Sequence, residues 1–88
     1  MTNQPADWQT LAEQEQWGKA ADALLARIEP LPPWQPLTRA AFTLQAAEYL
    51  EFAGRTDDAI TALESVTEEV AWCHRVAQKH LTRLRGER

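Results

Sequence analysis

Between residues 30 and 36 the chain reads Pro-Leu-Pro-Pro-Trp-Gln-Pro, and four prolines in seven positions restrict its folding more than any other stretch. Each proline removes a backbone donor, and each ring pushes the preceding residue out of the helical region. The segment therefore predicts an extended connector over 30–36 that divides the chain into two parts.

On both sides of this break apolar residues recur at helical spacing. Ala21, Leu24, Leu25 and Ile28 fall at i, i+3, i+4 and i+7, which predicts an amphipathic helix over 18–29 that Pro30 ends. Upstream, Trp8, Leu11 and Ala12 share one face of a shorter helix over 4–15, with Asn3 as its cap and Pro5 in its opening turn. After the connector, a helix over 37–53 carries two apolar stripes. Phe42, Ala46, Tyr49, Leu50 and Ala53 make one; Ala40, Leu44 and Ala47 make the other, so this helix is expected to pack on both sides and to sit centrally.

Gly54 supplies the left-handed residue that commonly closes a helix. Thr56 then reads as the cap of a fourth helix over 57–66, with Asp57 and Asp58 at its positive dipole end and Ala59, Ile60, Leu63 and Val66 on one side. Nothing as decisive separates this helix from the apolar series Val70, Cys73, Ala77, Leu81 and Leu84. Ser65 paired with Glu68 reads as a capping box, however, and Thr67 is a weak helix former, so a break near 66–68 and a fifth helix over 68–85 are expected.

Five helices and no strand signal describe an all-α chain, and a length of 88 residues suits a single domain spanning 1–88. A hydrophobic content of 44% with only three glycines is too apolar for disorder and too poor in turn residues for many strands. Cys73 is the one cysteine, so no internal disulfide is available, and no basic-plus-apolar targeting stretch opens the sequence. A cytoplasmic location follows as the expectation. Charged or amide residues interrupt every apolar run well short of the roughly 20 residues that cross a bilayer, so no membrane span is expected.

Charge is unevenly distributed. Residues 1–73 hold twelve acidic and four basic residues, a net of −8, whereas 74–88 hold five basic residues against Glu87, a net of +4. An acidic body repels phosphate, so Arg75, Lys79, Arg83, Arg85 and Arg88 would have to bind nucleic acid or an acidic partner alone, and nucleic acid is a disfavoured partner. Arg83 and Arg85 also fit a simpler role, as cations complementing the negative end of the last helix.

Catalytic patterns are missing. His74 and His80 lie six residues apart, which turns them to different faces of one helix, whereas metal ligation on a helix favours a spacing of three or four. Cys73 fits its apolar stripe as a small core residue. No glycine-rich phosphate loop or serine elbow occurs, and the acids are scattered along helix surfaces, so neither catalysis nor a cofactor is expected.

Sliding the chain against itself by 39 residues reveals an internal repeat. Leu11 falls on Leu50, Ala20 on Ala59, Ala23 on Ala62 and Leu24 on Leu63. Small residues at such points let two antiparallel helices approach closely, while the following leucine fills the groove between them.

With Ala47, Leu50, Gly54, Ala59, Leu63 and Val66, the second unit resembles the tetratricopeptide-repeat family. The first unit matches at Leu11, Ala20, Leu24 and Pro32 but departs at Trp8, Glu15 and Arg27, where small residues or glycine are expected. The resemblance covers residues 5–67 and implies two stacked antiparallel hairpins, over 4–29 and 37–66, in an α-α superhelix closed by a C-terminal capping helix. It further implies that the first helix of each hairpin lines a concave groove that receives a peptide or helix from a partner protein. The matching positions are Gln9, Ala12 and Glu13 in the first unit and Gln45, Glu48 and Phe52 in the second, which makes the groove acidic and partly apolar. The lysine and asparagine set with which some family members clamp chaperone tails is missing, so a basic or amphipathic segment is the better ligand.

Trp8, Trp17 and Trp72 sit near apolar faces and are expected in the core or at hairpin junctions. Trp34, between prolines, is either a lid folded over the junction or an exposed interface anchor. The resulting functional expectation is an interaction module, an adaptor or small chaperone. A self-associating module is the alternative, since two hairpins leave unfinished ends.

Overall fold

The computed structural model describes residues 7–32 and 34–86, in which the helical segments expected from periodicity form five helices. They are α1 (Trp8–Glu13), α2 (Trp17–Ile28), α3 (Pro36–Phe52), α4 (Thr56–Glu64) and α5 (Ala71–Gly86). The Asn3 cap and the Pro5 opening turn fall outside the described residues, as does Arg88.

The 39-residue register recurs in the backbone. Glu15 has φ of 58° and Gly54 has φ of 77° at equivalent positions. Beyond α1 the Gln16 amide donates to the Leu11 carbonyl at 2.9 Å, and beyond α3 the Arg55 amide donates to the Leu50 carbonyl at 2.8 Å. This six-to-one hydrogen bond around a left-handed residue is the Schellman closure, and it satisfies carbonyls that the helix end leaves orphaned. One turn therefore reverses the chain between α1 and α2 and again between α3 and α4. At the first turn glutamate occupies the position that glycine fills at the second.

Each helix packs on its successor, and α3 also meets α5. Ring contacts from Trp8 to Phe42 and Tyr49 bring α1 against α3. The order places α1, α3 and α5 in one layer and α2 and α4 in the other, so two stacked hairpins are followed by a fifth helix. Ala20 and Ala59 are completely buried, and Leu24, Leu50 and Leu63 fill the space around them. Cys73, Ala77, Leu81 and Leu84 fix α5 to this core. Thr43 is the one buried polar side chain among the described residues, and its hydroxyl donates to the Arg39 carbonyl at 2.7 Å.

Several local expectations are corrected. Thr56 is the first helical residue of α4 and caps nothing: Arg55 holds the boundary, and its guanidinium pairs with Asp58 at 2.9 Å and Asp22 at 3.0 Å. Asp57 and Asp58 do occupy the first turn of α4. Ser65 makes no capping box. Its hydroxyl donates back to the Ala62 carbonyl at 2.6 Å and finishes α4, while α5 starts at Ala71 instead of 68. The break between α4 and α5 is thus present, but it is made by the end of α4 and not by the start of α5.

The connector is turned, not fully extended. The Leu31 amide donates to the Ile28 carbonyl at 3.0 Å and the Gln35 amide to the Pro32 carbonyl at 3.1 Å. Arg39 then donates to the Leu31 carbonyl at 2.7 Å, tying this segment to α3. Pro36 opens α3, where its missing amide hydrogen costs no hydrogen bond. No helix among the described residues is long and apolar enough to cross a membrane.

Candidate partner-binding groove

Side by side in one layer, α1 and α3 leave a shallow groove of about 630 Å³ between them. Gln9, Ala12 and Glu13 line it from α1, and Gln45, Glu48 and Phe52 line it from α3. All six groove residues named from the sequence thus meet on one surface. Three aromatic residues join them: Trp8, Trp17 and Tyr49.

The aromatic residues form a continuous floor. Trp17, the first residue of α2, stacks on Tyr49 with ring centroids 5.6 Å apart and tilts against Phe52 at 4.9 Å. Tyr49 in turn lies 6.1 Å from Trp8, which meets Phe42 at 6.2 Å. Tyr49 is buried, Trp8 and Trp17 are half-buried, and Phe52 is 56% exposed, so the floor rises to solvent at the Phe52 end. Burial, with the neighbouring charge of Glu48 as a second cause, pushes the Tyr49 phenol above its ordinary value. Glu13 and Glu48 stand exposed at the rim. An apolar floor with acids at the edge presents apolar area to a ligand and leaves the charged groups hydrated.

One expectation about tryptophan fails here and an open one is decided. Trp34 is 77% exposed on the connector, so of its two readings the lid over the hairpin junction is removed and the exposed position holds, although it does not line the groove. Trp72 is 51% exposed and not a core residue, because Cys73 one position on takes the inward direction in the first turn of α5. The contributions of Trp8, Trp17 and Tyr49 to the groove were not expected. For Tyr49 a signal existed: it lies four residues beyond Gln45 and three before Phe52, on the same face of α3.

No protein-family model, curated protein or solved structure matches the chain. Its own geometry is therefore the basis for a functional reading.

The basic residues of α5 divide into two groups. Arg83 donates to Glu51 on α3 at 2.6 Å, and Arg85 donates to Glu64 on α4 at 2.5 Å, so these two cations bind α5 to its neighbours. Arg75 and Lys79 are exposed on the outer face. Cys73 is fully buried, and burial pushes its thiol up, away from the reactive thiolate form.

Proposed function

We propose that this protein is a non-catalytic interaction module, an adaptor or small chaperone of the cytoplasm, whose α1/α3 groove holds an amphipathic, basic helix or peptide from a partner protein. The observation that carries this reading is the aromatic floor ending in exposed Phe52, in a groove that the carboxylates Glu13 and Glu48 also line. Large aromatic residues are costly to leave in water and are favoured as interface anchors. The arrangement of α1 and α3 also supports the tetratricopeptide-like reading, in which the first helices of successive hairpins carry the ligand.

The test is calorimetric titration with an amphipathic Leu/Lys helix of roughly 14 residues, long enough to hold helical structure when bound. Phe52→Ala is expected to weaken binding by about tenfold or more, as removal of an anchor does. Glu48→Lys weakens it severalfold and steepens no salt dependence, because a rim contact is screened and weak. Binding that is equal in the wild type and in Phe52→Ala removes the groove assignment.

A further inference from the structure

We propose that in the free protein the groove is occupied by α5 of a second copy, so that molecules join head to tail. This rests on the groove reading above and names an occupant for the same surface.

The outer face of α5 carries what the groove accepts. Trp72 is 51% exposed in the first turn, and Arg75 and Lys79 are exposed three and seven residues further on. At 3.6 residues per turn these three side chains lie within about 60° of one another, as a stripe of one aromatic and two cations. Cys73, Ala77, Leu81 and Leu84 hold the opposite face of α5 against its own core. The stripe therefore points away from its own molecule and is presented to another one. Arg83, adjoining the stripe, is engaged with Glu51, so Arg75 and Lys79 are the cations on offer.

The chemistry of the two surfaces is opposite in sign and shares an aromatic component. The groove offers Phe52 and Trp17 with Glu13 and Glu48; the stripe offers Trp72 with Arg75 and Lys79. A groove facing another groove sets acid against acid, which disfavours a symmetric pair through this surface. A groove facing an α5 stripe sets acid against base and buries aromatic residues from both copies. When the groove of one copy holds the stripe of the next in a head-to-tail order, the contact is heterologous and leaves one free groove and one free stripe at the ends. The contact is small and partly ionic, so association depends on concentration and falls with salt.

Full-length variants test this by sedimentation velocity across concentration. Wild type is expected to gain mass with concentration at low salt and to lose that gain at about 1 M salt. Arg75→Glu/Lys79→Glu removes the stripe and Glu13→Lys/Glu48→Lys removes the groove, and each variant alone is expected to remain monomeric. Mixed in equal amounts they form a one-to-one complex, because one intact groove then meets one intact stripe. A monomeric wild type, either variant associating as wild type does, or a mixture that forms no complex overturns the proposal. Far-UV circular dichroism checks the fold of each variant, and Arg75→Gln/Lys79→Gln carries the same test if charge reversal unfolds the chain. The Leu/Lys peptide separates the two readings. Peptide binding to a wild type that stays monomeric defeats self-association and leaves the groove reading standing, whereas a groove that binds neither peptide nor copy removes both.

Discussion

Glu15 and Gly54 perform the same backbone task with different chemistry. Both lie in the left-handed region, where a side chain brings Cβ close to the following carbonyl and glycine pays no such penalty. Glu15→Gly is therefore expected to stabilise the fold by up to about 1 kcal/mol, and Gly54→Ala to destabilise it by about 1 kcal/mol, measured by urea unfolding. Equal and opposite responses at the two sites would show that the turns are equivalent in energy as well as in geometry. Cys73 makes a second prediction at this scale. Its folded thiol titrates above the unfolded one because burial penalises the thiolate, so its contribution is fully present below the unfolded value and is lost as pH rises. Tyr49 acts in the same direction at higher pH. Stability is thus expected to decline from about pH 8.5 upward, and Cys73→Ala should flatten the first part of that decline in thermal melts. In the native protein the thiol should resist alkylation until the chain unfolds.

Among the elements, the hairpin contacts at Ala20 and Ala59 set how closely α2 and α4 approach their neighbours. Both alanines are fully buried, so Ala59→Leu forces the helices apart and should cost about 1–3 kcal/mol. Leu63→Ala opens a cavity beside it and should cost about 2–5 kcal/mol, again by urea unfolding. This level of structure was legible in the sequence because side-chain size and period report directly on helix packing. The 39-residue register, the central place of α3 and the buried stripe of α5 all followed from where small and large apolar residues fall. What stayed hidden were choices among competing local hydrogen bonds. The Ser65 hydroxyl has a choice between accepting from the amide of Glu68 as a cap and donating back to the Ala62 carbonyl, and the bond to Ala62 wins. Thr56 lost its capping place because the Schellman bond of Arg55 ends the turn one residue earlier. The exposure of Trp72 was equally out of reach. A tryptophan beside an apolar stripe is buried or exposed according to a rotation of a few tens of degrees, which periodicity alone leaves undetermined.

The molecule as a whole is a two-layer stack with one acidic, aromatic-floored groove at α1/α3 and one basic, aromatic stripe on α5. Six groove residues were legible because a repeat register fixes which positions of successive first helices share a face. The aromatic floor was not, since Trp17 reaches the groove from the start of α2 only after the α1–α2 turn has closed. That floor supplies a built-in reporter. Titrating the full-length protein with the Leu/Lys peptide while following tryptophan emission measures the central claim most directly, with Trp34→Phe/Trp72→Phe leaving Trp8 and Trp17 as the emitting residues. A saturable blue shift that Phe52→Ala weakens by about tenfold is the predicted result. A spectrum unchanged at saturating peptide, with helical content intact, would contradict a groove that holds a partner helix.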